Sequence, residues 1–193
     1  INLLSATGST AMGKALAPRV SARMGKGLYE LGGNNGMIVS RYANIDLAVR
    51  GIVFGAVGTA GQRCTTLRRL IVHNSVYDVL LEKLKSAYAS LPVGDNFKEE
   101  TLVGPLINQE SADRMLSVLE QAKAKGYTVH GGEVVEGCTV RPAIVEATEQ
   151  CDLIKTETFA PILYVLKYTD LEEAINIHNA VPQGLSSCIF TDN

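Results

Sequence analysis

The sequence has 193 residues, enough for one large domain or two small ones, and its 46% hydrophobic and 20% charged residues are typical of a globular protein. The formal net charge of −2 gives no reason to expect a nucleic acid or an anionic membrane as a partner. No apolar run reaches the roughly 18 residues of a membrane-spanning helix. These properties exclude membrane and nucleic-acid classes and favour a cytoplasmic protein.

Short β-type runs alternate with helical patterns along the chain. We predict strands at residues 1–6, 36–40, 69–73, 128–131, 140–148, 162–168 and 186–191. We predict helices at residues 10–24, 46–57, 76–91, 111–125 and 171–179. The second helix is apolar on nearly all sides, so we expect it to be buried. This alternation indicates an α/β fold of three layers, with a largely parallel sheet and helices on both faces.

The first candidate for chemistry is the segment ATGST at residues 6–10, between a strand and a helix. Gly8 allows a sharp turn, and Ser9 or Thr10 is a suitable N-cap. The free N–H groups of such a helix start can bind a phosphate. Many turns between a strand and a helix look like this, so an ordinary turn is the alternative.

Two further candidates contain a glutamate. In ELGGNN, residues 30–35, Glu30 precedes two glycines and a strand, and it could be a general base or a plain surface residue. In ETFAPI, residues 157–162, Glu157 could accept hydrogen bonds from sugar hydroxyls, and Phe159 could pack on a flat ring. A strand-entry turn with one core aromatic residue is the alternative for the second segment.

The four cysteines are Cys64, Cys138, Cys151 and Cys188. None forms a Cys-x-x-Cys pair, so zinc spacing is absent and we expect no metal. Two disulfides are possible in number, but the α/β pattern is typical of a cytosolic protein with reduced thiols.

Cys64 lies in GTAGQRCTT, residues 58–66, on a loop of glycines and small residues. Such a loop gives a substrate carbonyl access to the sulfur, and nearby backbone N–H groups can bind an oxyanion. A nucleophile and a structural thiol both remain possible, whereas Cys188 alternates inside a strand and is expected in the core.

Together, TGST, ELGG, GQRC and ETFAP resemble the aldehyde dehydrogenase superfamily in the order of its motifs, over essentially the whole chain. The segments ELGGNN, AVGTAGQRCTT, TETFAPILYV and QGLSSCIFT resemble its α-aminoadipic semialdehyde dehydrogenase branch, also called antiquitins. The family usually has an aromatic residue where Ala6 stands here.

The resemblance implies a role for each matching residue. It implies that Cys64 is the catalytic nucleophile, that Glu30 is the base activating the hydrolytic water, and that Thr65 contacts the substrate. It implies cofactor contacts at Gly8, Ser9, Thr10, Gly13, Leu31, Gly32, Glu157 and Phe159. It also implies residues 1–29 as the end of an NAD-binding domain and residues 30–193 as a truncated catalytic domain.

The implied activity is NAD-dependent oxidation of an aldehyde to an acid, through a thiohemiacetal and a thioester on Cys64. The branch suggests α-aminoadipic semialdehyde of lysine degradation as substrate, and a dimer or tetramer as the assembly. The chain has no initiator Met and begins and ends inside apolar runs, so we expect a piece of a longer protein, inactive alone.

Three alternatives remain. A phosphorylating dehydrogenase would need a histidine base, but the nearest histidine in sequence, His73, lies in a strand pattern. A CoA-acylating semialdehyde dehydrogenase would not depend on Glu30. A non-catalytic α/β module would show four cysteines of similar, low reactivity.

Overall fold

Strands and helices alternate in a computed structural model, which describes residues 1–193. The strands are β1 (Leu3–Thr7), β2 (Lys26–Glu30), β3 (Asn35–Val39), β4 (Leu67–His73), β5 (Thr128–Gly131), β6 (Val134–Glu136), β7 (Thr139–Val140), β8 (Ala143–Glu146), β9 (Ile162–Tyr168) and β10 (Ser187–Phe190). The helices are α1 (Thr10–Ala22), α2 (Ile45–Val57), α3 (Asn74–Ala89), α4 (Gln109–Ala124), α5 (Asp152–Lys155) and α6 (Leu171–Asn179). A turn of 3-10 helix, Gly58–Gly61, follows α2.

Six strands form one sheet in the order β10-β3-β4-β9-β8-β5. Every neighbouring pair is parallel except β5 and β8, which are antiparallel. Helix α2 connects β3 to β4 in one direction across the sheet, and α6 connects β9 to β10 in the other. Right-handed crossovers therefore place these helices on opposite faces. The predicted α/β fold with a largely parallel sheet is confirmed.

The strands β1 and β2 form a separate two-stranded parallel sheet joined by α1. Their register pairs Thr7 with Glu30, so both strands end at the same level. Strand β2 is missing from the predicted strands because its sequence KGLYE has no regular alternation of apolar and polar residues.

Two predicted elements differ from the structure for local reasons. The predicted strand 140–148 is split into β7 and β8, since Pro142 has no N–H to donate to a ladder. The predicted helix 10–24 ends at Ala22, and Met24 has a left-handed φ of 58°.

Helix α2 is buried on one side only, which corrects the expectation of a helix buried all round. Ala48 and Ile52 are fully buried, whereas Leu47 and Phe54 are 57% and 69% exposed. The buried side packs against α3 and β4. An apolar composition therefore overstates burial where no neighbouring element covers the second side.

The core lies between the central strands and the helices that cover them. Leu70, Ile71 and Leu163 on the strands and Ile52 and Leu80 on the helices are 0% exposed. Burial of each such side chain stabilises the fold by about 1.5–3 kcal/mol. This core fixes the positions of the loops at the strand ends.

A cluster of charges at Glu146 joins α3 to the antiparallel edge of the sheet. The Glu146 carboxylate oxygen Oε1 lies 3.1 Å from Lys85 Nζ and 2.6 Å from His130 Nε2. Burial alone would raise the pKa of Glu146, but the hydrogen bonds from His130 and Lys85 lower it below its usual range. We call these three residues the Glu146 cluster.

None of the six helices has both the length and the apolar character needed to cross a bilayer.

Candidate active site

Three of the singled-out segments lie directly before neighbouring strands of the sheet. ELGGNN leads into β3, the cysteine loop leads into β4, and ETFAP leads into β9. These strands are adjacent and parallel, so their amino ends meet at one edge of the sheet. The fold therefore brings together segments whose first residues, Glu30 and Glu157, are 127 positions apart in the sequence.

The backbone before Cys64 adopts an unusual left-handed turn. Thr59, Ala60 and Gly61 have φ values of 56°, 52° and 68°. A left-handed conformation costs a non-glycine residue about 1–2 kcal/mol, and such strain is often found at functional sites. A Cβ on Gly61 would lie 2.5 Å from the backbone of Ala160 and Pro161. The cysteine loop is thus packed tightly against the segment that leads into β9.

Cys64 itself lies in the turn that follows, and its side chain is exposed. The Thr66 N–H donates to the carbonyl of Arg63, which closes the turn. The Cys64 backbone N–H makes no hydrogen bond within the chain. An accessible sulfur beside a free N–H is the arrangement needed to attack a carbonyl and bind its oxyanion.

The segment ELGGNN holds this loop from the other side. The Asn35 side-chain amide donates to the carbonyls of Cys64, at 2.8 Å, and of Thr66, at 2.7 Å. A Cβ on Gly33 would lie 2.7 Å from the Cys64 carbonyl oxygen. The asparagine fixes the backbone at Cys64, and the glycine permits the close approach.

Glu30 and the start of α1 face each other at the ends of β1 and β2. The Gly8 N–H donates to the Glu30 carbonyl at 3.0 Å, which couples the turn to the glutamate. Ser9 caps α1, and its hydroxyl accepts from the Met12 N–H at 3.1 Å. The first turn of α1 has no acidic residue. Its positive end is therefore available to an anionic group.

Glu157 is anchored through one of its two carboxylate oxygens. Oε1 accepts from Arg68 Nη2 at 3.1 Å and from the Gly33 N–H at 3.3 Å. Oε2 has no hydrogen-bond donor in the protein and lies against Gly32, where a Cβ would collide with it. Phe159 has a left-handed φ of 59° and is 39% exposed. The segment therefore presents a free carboxylate oxygen beside an exposed ring.

Most of the residues predicted for the site line a single cleft of about 350 Å³. The cleft is lined by Thr7, Gly8, Ser9, Glu30, Leu31, Gly32, Cys64, Arg114, Glu157 and Phe159. Thr10, Gly13 and Thr65 lie outside the lining. Thr10 begins α1, Gly13 is buried where a Cβ would lie 2.5 Å from Leu31, and Thr65 is exposed beside Cys64. The assigned roles remain predictions, but the geometry permits one cofactor-and-substrate cleft.

Three residues at or near the cleft were not found from the sequence. Arg114 projects from α4 into the cleft, and nothing local marks it. Asn35 and Arg68 hold the loops together from buried positions. The sequence signal for Arg68 is a pair of consecutive arginines in a run of branched apolar residues, LRRLIVH. Buried arginines in a strand need partners, so such a pair predicts a structural or functional network.

Two of the other cysteines differ from expectation. All four cysteines are free. Cys188 is exposed on the edge strand β10 rather than in the core. Cys151 is not in a plain turn. Burial alone would raise its pKa, but hydrogen bonds from the Tyr127 hydroxyl and from the Ile154 and Leu153 N–H groups lower it. The surroundings of Cys151 therefore favour its thiolate form.

Comparisons with known proteins bear on the family of the chain. The family model described as "Aldehyde dehydrogenase family" matches residues 1–193. "Aldehyde dehydrogenase family 7 member A1" of Brassica napus is 50% identical over 99% of this chain and 39% of its own length. "Alpha-aminoadipic semialdehyde dehydrogenase" of Mus musculus is 46% identical over 99% of this chain and 36% of its own length.

A solved structure supports the fold. Betaine aldehyde dehydrogenase from Staphylococcus aureus, in complex with NAD⁺, is 27% identical and superposes with a TM-score of 0.96. The match covers 100% of this chain and 40% of that one. The chain spans about two fifths of the length of the curated relatives that it matches. The whole-chain family match, the relatives and the shared fold together establish that the chain belongs to the aldehyde dehydrogenase family.

Proposed function

We propose that the chain forms the nucleophile-bearing part of an NAD-dependent aldehyde dehydrogenase that oxidises a semialdehyde to a carboxylic acid. The observation that carries this proposal is the cleft that Cys64, Glu30 and Glu157 line together with the start of α1. A nucleophile, a candidate base and an anion-binding helix end are the parts that this reaction needs.

Cys64 begins the reaction. Its thiolate sulfur bonds to the aldehyde carbon, and the carbonyl oxygen takes the electron pair as an oxyanion. The free backbone N–H of Cys64 donates to that oxyanion. Bound NAD would supply an acceptor for the hydride of that carbon, and loss of the hydride would leave a thioester on Cys64.

Glu30 completes the turnover. Its carboxylate removes a proton from a water molecule, whose oxygen adds to the thioester carbon. The carbon–sulfur bond then breaks, which releases the carboxylic acid and returns the Cys64 thiolate, and Glu30 gives the proton to solvent. Glu30 is exposed at the end of β2, so a water molecule has access to it. This step distinguishes hydrolysis from transfer to CoA, which would not depend on Glu30.

The residues in the cleft fit NAD. The N-terminus of α1 at Ser9 can hold a phosphate, since its first turn has no acidic residue. The free Oε2 of Glu157 can accept from a ribose hydroxyl, and the Phe159 ring offers a flat apolar surface. A Cβ on Gly32 would close the space beside Glu157. We propose that these residues hold the nicotinamide half of the cofactor.

The division of the chain belongs to the same proposal. We propose residues 1–29 as the end of an NAD-binding domain and residues 30–193 as the catalytic part. The separate sheet of β1 and β2 supports this division. Because the relatives are more than twice as long, we propose that this chain alone is inactive. The names of the relatives support α-aminoadipic semialdehyde as the substrate.

The test is NADH formation by the protein expressed from its complete gene, with NAD and α-aminoadipic semialdehyde. We expect steady turnover, which Cys64→Ser abolishes. Glu30→Gln should produce about one NADH per active site and then stall, because the thioester is no longer hydrolysed. Full turnover by Glu30→Gln in the absence of CoA would contradict the assigned base. A complete lack of NADH from the unmutated protein would contradict the proposed activity.

A further inference from the structure

The guanidinium group of Arg68 lies where the loops of the cleft converge. Arg68 is 3% exposed at the start of β4. Its Nε donates to the carbonyl of Gly33 at 3.4 Å, and Nη1 donates to that of Gly61 at 3.3 Å. Its Nη2 donates to the carbonyl of Arg63, the residue before Cys64, at 3.1 Å. One side chain therefore joins ELGG to two carbonyls of the cysteine loop that precede Cys64.

The same group also anchors the proposed ribose-binding carboxylate. Arg68 Nη2 lies 3.1 Å from Glu157 Oε1, and Arg68 Nη1 lies 3.5 Å from the carbonyl of Ala160. The guanidinium carbon lies 5.5 Å from the centre of the Phe159 ring, close enough for a cation–π interaction. Only Oε1 of Glu157 is engaged, so the contact leaves Oε2 available.

We propose that Arg68 is a positioning residue that fixes the Cys64 loop and the Glu157 carboxylate relative to each other. Its planar fork of five N–H donors can bind several carbonyls and a carboxylate at once, which a lysine ammonium cannot do. Burial lowers the pKa of Arg68 and the Glu157 carboxylate partly offsets this effect, yet an arginine remains charged at neutral pH. The inference rests on the proposed function, because it concerns the residue that holds the loops of that same cleft together.

Arg69 provides a matched control. It is the next residue in the same strand and is 1% exposed, but it points to the opposite face of the sheet. Its guanidinium donates to the carbonyls of Asn34 and His178 and to the side chain of Gln150. It has no hydrogen bond to the cysteine loop or to Glu157. Its removal therefore costs stability without releasing the cleft.

The first readout is competitive alkylation of the intact chain near neutral pH, with mass spectrometry measuring each cysteine. Cys138 and Cys188 are the internal references, since they lie away from Arg68. We expect Arg68→Met to lower the relative rate of Cys64 by about fivefold, because the loop that holds the sulfur loses the hydrogen bonds donated to the carbonyls of Gly61 and Arg63. Arg68→Lys should recover part of that loss, since a lysine ammonium can donate to some of these carbonyls but cannot reach all of them at once.

The outcome for Arg69→Met decides between positioning and general destabilisation. We expect a lower melting temperature but a relative Cys64 rate within about twofold of the unmutated chain. An unchanged alkylation rate of Cys64 in Arg68→Met would overturn the proposal. A rate that falls as much in Arg69→Met as in Arg68→Met would also overturn it.

The second readout uses the protein expressed from its complete gene. Arg68→Lys should raise KM for NAD by about tenfold, whereas Arg69→Lys should leave it near the unmutated value, because Arg68 contacts Glu157 and Arg69 does not. Equal KM values in the two variants would refute the Glu157 part of the proposal. If the unmutated protein forms no NADH, the proposed function fails, and the alkylation experiment still decides whether Arg68 positions the Cys64 loop.

Discussion

Gly61→Ala should disrupt the junction between the cysteine loop and the segment that leads into β9. The new Cβ would lie 2.5 Å from backbone atoms of Ala160 and Pro161, which cannot rotate away as a side chain could. The substitution also places an alanine at a φ of 68°. The left-handed backbone costs about 1–2 kcal/mol, and overpacking adds about 1–3 kcal/mol. We therefore expect the free energy of unfolding to fall by about 2–5 kcal/mol.

Gly126→Ala is the matched control for the backbone contribution. Gly126 also has a left-handed φ, of 84°, but no atom lies within 4 Å of the position of a new Cβ. Its substitution should cost only about 1–2 kcal/mol. Urea unfolding of the two variants and of the unmutated chain would give both values. The difference between the variants measures the packing of the two loops.

The same variants also test whether this packing matters for the nucleophile. The relative alkylation rate of Cys64 should change in Gly61→Ala and stay constant in Gly126→Ala, because only Gly61 belongs to the cysteine loop. Equal stabilities for the two variants would refute the reasoning, since they would show that the loops can separate without cost.

Three further predictions concern single hydrogen bonds and charges. Asn35→Ala leaves the Cys64 and Thr66 carbonyls without a donor, so urea unfolding should show a loss of about 1–3 kcal/mol, and unchanged stability would contradict that role. Tyr127→Phe removes a hydrogen bond that lowers the pKa of Cys151. Alkylation of this thiol near neutral pH should therefore slow, and an unchanged alkylation rate would contradict the role of the hydrogen bond. The Glu146 cluster makes stability depend on acid, because the folded-state pKa of its carboxyl lies below the unfolded value of about 4.3. The stabilisation by the cluster is complete above that value and is lost as the pH falls through the lower folded pKa. In Glu146→Gln, the free energy of unfolding measured in urea should depend less on pH over this range. An unchanged pH dependence would argue against the cluster.

The fold was predictable where a segment has one strong periodic signal and neighbours that bury it. Helices α3 and α4 and the central strands β4 and β9 meet that condition. Strand β2 does not, because KGLYE is exposed along most of its length. Cys188 was misplaced because alternation in a sequence cannot show whether a strand lies at the edge of its sheet.

The residues of the candidate site were predictable from sequence motifs, but their arrangement in space was not. ELGG, GQRC and ETFAP indicated Glu30, Cys64 and Glu157, whereas their convergence depends on strand order, which single segments do not encode. The role of Arg68 could not be predicted because its partners are mostly backbone carbonyls of three separate loops, which no sequence motif marks. Residues that assemble a site through backbone contacts therefore need the structure to be found.

The central claim is that Cys64 carries the acyl group during aldehyde oxidation. The most direct test is mass spectrometry of the Glu30→Gln protein, expressed from its complete gene and mixed with NAD and α-aminoadipic semialdehyde. Because the variant should stall before hydrolysis, we predict a covalent acyl adduct on the peptide that contains Cys64. An adduct on Cys138, Cys151 or Cys188 instead, or NADH formation without any adduct on Cys64, would contradict the account.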